Sequence, residues 1–76
     1  MKIKLYTTDS ICPKCKLTKR KLNDMQLNYL EIIATDEDKK LLKEKGFLEF
    51  PVIVLNDNWE ESWSGYRVDK LNELKE

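Results

Sequence analysis

Polar and apolar residues alternate at the start of the chain. In KIKLYT, residues 2–7, Ile3 and Leu5 point one way and Lys2 and Lys4 the other, the period of a half-buried strand. From Cys12 to about Met25 the period lengthens. Cys15, Thr18, Leu22 and Met25 fall at helical spacing with Leu17 alongside, and lysines fill the opposite face. Pro13 suits the first turn of this helix, where its missing N–H has no partner to lose, so the helix begins at the cysteines. NYLEIIA, Asn28–Ala34, is rich in β-branched and aromatic residues and predicts a second strand. Thr35, with Asp38 three residues on, caps a short helix that runs to Lys45 and stops at Gly46.

PVIVL, Pro51–Leu55, predicts a central strand that starts on proline because proline cannot sit further inside. NDN is turn chemistry, and WEESW alternates Trp59, Glu61 and Trp63, so the two segments predict a hairpin with both tryptophans on one strand face. Val68, Leu71 and Leu74 recur on one side of a C-terminal helix. The resulting order is β-α-β-α-β-β-α. A right-handed parallel βαβ unit followed by an antiparallel hairpin predicts an α/β fold, a four-stranded mixed sheet with three helices on its faces. The chain shows no repeat, linker or low-complexity segment, and its 76 residues supply one small core, so residues 1–76 are read as a single domain.

Charge narrows the function. Fourteen Lys and Arg balance fourteen Asp and Glu, so no global field draws in nucleic acid or an acidic membrane surface, and any electrostatic role is local. MKIKLYTTDS carries lysines at alternate early positions and lacks the apolar run of a signal peptide. No stretch approaches the roughly 20 apolar residues of a membrane span. A cytoplasmic location is expected, where thiols stay reduced. A secreted scaffold of this size would carry several cysteine pairs, and one pair is too few.

That pair carries the chemistry. SICPKCKLTKR, Ser10–Arg20, holds both cysteines, and the spacing of three sets Cys12 and Cys15 on neighbouring positions of the first helical turn, close enough to bond. Cys12 falls at the cap, where free backbone N–H groups and the positive end of the helix dipole favour a thiolate. Lys14 and Lys16 add charge of the same sign. Cys15, a turn deeper on the apolar face, is expected to be less exposed. Disulfide exchange needs that asymmetry: Cys12 attacks and Cys15 resolves. A closed zinc site takes four ligands, and with no histidine and no third cysteine it would require a dimer sharing two pairs. A passive cross-link conflicts with a reducing compartment. C-x-x-C beside a βαβ pattern in a cytosolic chain reads as a redox dithiol. Lys19, Arg20 and Lys21 read as the solvated face of the helix, and Asp9 as a loop cap or turn former.

A strand ending in Tyr6-Thr7, C-x-x-C opening the first helix, FPV before the third strand and a Gly65 turn into the last helix together resemble the glutaredoxin branch of the thioredoxin fold. The resemblance spans essentially the whole chain. It implies a cis peptide bond at Pro51 beside the cysteines, and a backbone at Phe50 that pairs with the substrate like an added strand. WSGYR, Trp63–Arg67, is similar to the W-S-G-F-R-P signature of NrdH-type redoxins, and KGFLEFPV to that subgroup's loop before the proline. The resemblance implies a small electron carrier with Cys12 as nucleophile and Cys15 as resolving thiol, supported by Pro13, Lys14 and Pro51. Phe50, Trp63, Ser64, Gly65, Tyr66 and Arg67 are then the residues facing substrate or partner. The expected donor is thioredoxin reductase, and the expected acceptor class Ib ribonucleotide reductase or another protein disulfide. The carrier is expected to be a monomer with no metal and no cofactor beyond its redox-active Cys12–Cys15 disulfide, and with no nucleic-acid or membrane partner.

The chain departs from that subgroup at several points. Val68 stands where the signature has proline, and Tyr66 where it has phenylalanine. Pro13-Lys14 between the cysteines carries the proline of ordinary glutaredoxins. The loop from Tyr6 to Cys12 is one residue longer than usual, with Thr8 where a basic residue is common. Glutathione-using relatives hold the tripeptide with that basic residue and with a hydroxyl or thiol followed by Asp after the glycine turn. Here Tyr66 and Arg67 follow Gly65, so glutathione is expected to bind poorly. A glutathione-coupled dithiol glutaredoxin is the alternative with the same chemistry. A metal- or cluster-bridged dimer and a non-catalytic binding domain are alternatives of other classes. Arg67 also reads as a surface residue paired with Asp69 or Glu61, and Trp59 as cover for the sheet.

Overall fold

Strands and helices follow one another as β1 (Ile3–Thr7), α1 (Pro13–Asp24), β2 (Leu30–Ile33), α2 (Asp36–Glu44), β3 (Val52–Leu55), β4 (Asn58–Ser64) and α3 (Val68–Asn72). The computed structural model describes residues 1–74, so the last two residues of the expected 1–76 domain lie outside the described residues. The four strands form one sheet in the order β2-β1-β3-β4. β1 and β2 are parallel, with α1 as their crossover, and β3 is antiparallel to both β1 and β4. This is the mixed α/β architecture read from the sequence, in the thioredoxin-like arrangement.

The alternation of β1 divides the core between the two faces of the sheet. Ile3, Leu5, Ile53 and Trp63 point to one face, where Leu22 of α1, Leu71 of α3 and Leu74 pack on them. Leu42 of α2 covers Val52 and Val54 on the other, with Tyr6, Phe47, Phe50 and Trp59 at the margin. Burying each such aliphatic side chain is worth about 1.5–3 kcal/mol. Thus α1 and α3 lie over one face and α2 over the other.

Local chemistry fixes the helix ends. Cys12 is the N-cap of α1 and Pro13 its first residue. At the far end Gln26 takes a left-handed φ of 58°, and Leu27 N–H donates to the Leu22 carbonyl at 3.0 Å, closing the helix without a glycine. Thr35 and Asp38 form the reciprocal capping box at the start of α2, each side chain accepting from the other's backbone N–H at 3.1 Å. Gly46, at φ 94°, follows the C-cap Lys45.

The hairpin differs from its reading. Asn56 and Asp57 take φ of 54° and 56°, the doubly left-handed turn that matches strand twist. Lys2 and Lys4 of the first segment both pair with Asp57. Leu55 pairs with Asn58 but Val54 pairs with Ser62, which leaves Trp59, Glu60 and Glu61 as a bulge. Three extra residues are an odd number, so the side-chain alternation inverts across them. Trp59 and Trp63 therefore lie on opposite faces of the sheet, the first against the α2 cluster and the second in the α1/α3 core.

Smaller differences have equally local reasons. β2 is shorter than Asn28–Ala34: its parallel register with β1 runs from Lys4 opposite Leu30 to Thr7 opposite Ile33, and Ala34 closes it by donating its N–H to the Thr7 carbonyl at 2.8 Å. Val68 opens α3 with its side chain 41% exposed, so the buried stripe there is Leu71 and Leu74. Leu17 is 45% exposed on the solvent side of α1.

Candidate functional site

The cysteines sit where the loop after β1 turns into α1. Cys12 is half-exposed at the cap with its sulfur accepting from the Cys15 N–H at 3.2 Å, the orphan-donor interaction expected at a helix start. Cys15 is 3% exposed because it continues the buried stripe of Thr18 and Leu22. Thr18 satisfies its buried hydroxyl by donating to the Lys14 carbonyl at 2.8 Å. The two sulfurs are joined as a disulfide with the Cα atoms 5.3 Å apart.

Pro51 precedes β3 and is buried, and the Phe50–Pro51 peptide bond is cis. The Pro51 carbonyl accepts the Gly65 N–H at 2.8 Å, which joins the FPV and WSGYR segments into one structural unit. Phe50 is half-buried against the α2 cluster. Among the described residues its backbone N–H and carbonyl have no backbone partner. A groove of about 370 Å³ opens beside it, lined by Leu42, Phe47, Leu48 and Val52 among others.

The WSGYR residues divide by depth. Trp63 is 7% exposed in the α1/α3 core, so it shapes the sheet from within and presents almost no surface to a partner, contrary to the expected contact role. Its indole N–H has no hydrogen-bond partner among the described residues. Ser64 is half-buried and pairs with Val52 across the ladder. Gly65 is buried with φ 84°, a conformation only glycine adopts without strain. Tyr66 packs half-buried against the core. Arg67 is exposed and grips Asp69 through two hydrogen bonds of 2.9 and 3.1 Å. Those bonds are the chief cause holding the Asp69 carboxyl below the usual carboxylate range, with the Lys70 backbone N–H and then the charge of Arg67 assisting.

Pro13 and Lys14 are exposed on the first turn. Lys14 Nζ lies 3.3 Å from Glu49 Oε2, which ties the segment between the cysteines to the loop before Pro51. The sequence reading did not single out Glu49, although it lies within KGFLEFPV, because nothing local in that segment pairs it with Lys14. Ile11, directly before Cys12, and Leu48, two residues before Phe50, are 93% and 85% exposed, apolar side chains displayed beside the cysteine turn and the proline loop in sequence. Their residue type alone reads as core.

The arrangement can cycle between a disulfide and a dithiol with one sulfur accessible and one buried. Among the described residues no group of three or more His, Cys, Asp or Glu is arranged to hold a metal ion. No described helix is long and apolar enough to cross a membrane.

A family profile described as Glutaredoxin matches residues 3–59. The glutaredoxin-like protein NrdH of Escherichia coli K12 is 35% identical over 77 aligned positions, covering 97% of this chain and 89% of that protein. The NrdH of Salmonella typhimurium LT2 is 32% identical with the same coverage. Among solved structures, NrdH-redoxin from Escherichia coli superposes with a TM-score of 0.85 at 33% identity, over 97% of this chain and 95% of that one. A glutaredoxin from Archaeoglobus fulgidus superposes with a TM-score of 0.69 at 28% identity, over 95% and 83% of the two chains.

Proposed function

The chain belongs to the glutaredoxin family and is an NrdH-like thiol-disulfide oxidoreductase, and we propose that it is a small electron carrier in which Cys12 attacks and Cys15 resolves. The observation that carries the assignment of roles is their unequal setting: Cys12 is half-exposed at the helix cap with the Cys15 N–H on its sulfur, and Cys15 is buried behind it. In the reduced protein the helix N-terminus favours charge on Cys12 over Cys15.

The cycle balances in two exchanges. The Cys12 thiolate attacks a substrate disulfide, forming a mixed disulfide and expelling one substrate thiolate, which takes up a proton. Cys15 loses its proton and attacks the Cys12 sulfur, forming the intramolecular disulfide and releasing the second substrate thiol. Two electrons pass to the substrate and no cofactor takes part. The unpartnered backbone of Phe50 would receive the substrate segment as an added strand, with Pro51 next to it, the Gly65 turn bonded to Pro51, and Tyr66 and Arg67 following that turn.

We infer a flavin-dependent thioredoxin reductase as donor, and class Ib ribonucleotide reductase or another protein disulfide as acceptor. This reading is supported by the thioredoxin-like activity profile described for the E. coli NrdH-redoxin. Tyr66 and Arg67, standing where glutathione-using relatives place a hydroxyl or thiol followed by Asp, support it further. The test supplies NADPH to the oxidised protein with thioredoxin reductase in one tube, and with glutathione and glutathione reductase in another. Fast reduction in the first tube is expected, and fast turnover only in the second would overturn the choice of donor.

A further inference from the structure

We infer that Glu49 is a specificity-determining residue that selects against anionic disulfide partners; the inference rests on the dithiol reading of Cys12 and Cys15 above. Glu49 Oε2 lies 3.3 Å from Nζ of Lys14, the residue just before Cys15. Its other oxygen fills the space left by a missing side chain, since a Cβ on Gly65 would fall 2.1 Å from Glu49 Oε1. In sequence it directly precedes Phe50 and Pro51. One carboxylate thus stands where the cysteine turn, the proline loop and the Gly65 turn converge.

The Lys14 and Glu49 side chains are 56% and 48% exposed, and ion pairs so open to solvent add little to stability. What the pair changes is the charge beside the reacting sulfur. Lys14 alone would present an unbalanced cation next to Cys12 and draw anionic disulfides toward it. Glu49 offsets that cation, so the approach to the dithiol carries one positive charge fewer, with Lys16 still exposed beside Cys15, and partners with neutral or basic residues around their cysteines are less disadvantaged. Fixed charges this close to a docking substrate act within a Debye length at ordinary ionic strength.

The experiment follows oxidation of the reduced protein in single turnovers by three small disulfides: glutathione disulfide (anionic), hydroxyethyl disulfide (neutral) and cystamine (cationic). The readout is the ratio of the anionic to the cationic rate, in which thiolate reactivity and resolution by Cys15 cancel. At low salt, Glu49→Gln is expected to raise this ratio about fivefold to tenfold and Lys14→Gln to lower it comparably. The double variant should return near the wild-type ratio, and roughly 0.5 M salt should shrink every difference. A purely structural role for Glu49 would move all three disulfides together. Ratios within about twofold of wild type in both single variants would overturn the inference while leaving the dithiol reading intact. Failure of the wild-type protein to reduce even hydroxyethyl disulfide would remove that reading, and the inference with it.

Discussion

The Gly65 N–H donates to the Pro51 carbonyl at 2.8 Å, so the turn into α3 and the loop ahead of β3 hold each other in place. Gly65 reaches this position through a left-handed φ of 84°, and Glu49 occupies the volume a side chain would need. Gly65→Ala is expected to lower stability by about 1–2 kcal/mol in denaturant unfolding, chiefly from backbone strain. Most of that loss should persist in a Glu49→Ala background. If it vanished there, the carboxylate contact and not the backbone would be the cause.

Helix α1 offers a paired test of its buried face. Leu22 is 0% exposed in the α1/α3 core, whereas Leu17 on the same helix is 45% exposed. Leu22→Ala should cost about 2–5 kcal/mol through lost burial and a residual cavity. Leu17→Ala should stay within about 0.5 kcal/mol of wild type. Equal losses in urea titrations would contradict the helix orientation described above.

Glu31 gives stability a pH dependence of defined sign. The Thr7 hydroxyl donates to Glu31 Oε2 at 2.9 Å, and Lys19 pairs with the same oxygen at 3.1 Å. The Thr7 bond is the larger cause holding the Glu31 carboxyl below its ordinary range, with partial burial opposing and Lys19 assisting. A carboxyl whose value is depressed on folding stabilises the protein above its unfolded value, and that contribution is lost as pH falls through the folded one. Glu31→Gln should therefore cost about 0.5–1 kcal/mol at neutral pH. The gap between variant and wild type should close on acidification below the usual carboxylate range. A gap that stayed constant with pH would show that charge on Glu31 is not the source.

The two tryptophans should respond differently to solvent. Trp59 is half-buried, stacked at 6.2 Å from Tyr6 with Lys45 over its ring, while Trp63 is 7% exposed. In single-tryptophan variants made with phenylalanine, iodide should quench Trp59 and leave Trp63 nearly untouched. Similar quenching of both would contradict the burial of Trp63 in the α1/α3 core.

The β-period of KIKLYT, the helical stripe behind the cysteines and the TDED cap were legible because each is a local pattern that the fold leaves intact. The Trp59–Glu61 bulge was not, because an alternating WEESW satisfies the strand period in sequence while extra residues invert it in space. Cys12, Cys15, Pro51 and Gly65 stood out through their special chemistry. Glu49 did not, since its partners Lys14 and Gly65 are 35 and 16 positions away and only the sheet brings them together. Strand order was hidden for the same reason, as β1 meets β3 through pairings that span some 50 residues.

The central claim is that Cys12 attacks and Cys15 resolves, and mass mapping of the trapped intermediate tests it most directly. The reduced Cys15→Ser and Cys12→Ser variants are each mixed with hydroxyethyl disulfide, and adducts are located by peptide mass. Cys15→Ser should rapidly gain one mercaptoethanol unit on Cys12 and stop there, while Cys12→Ser should react at least about 100-fold more slowly, its thiol being buried. An adduct forming on Cys15 as fast as on Cys12 would contradict the account.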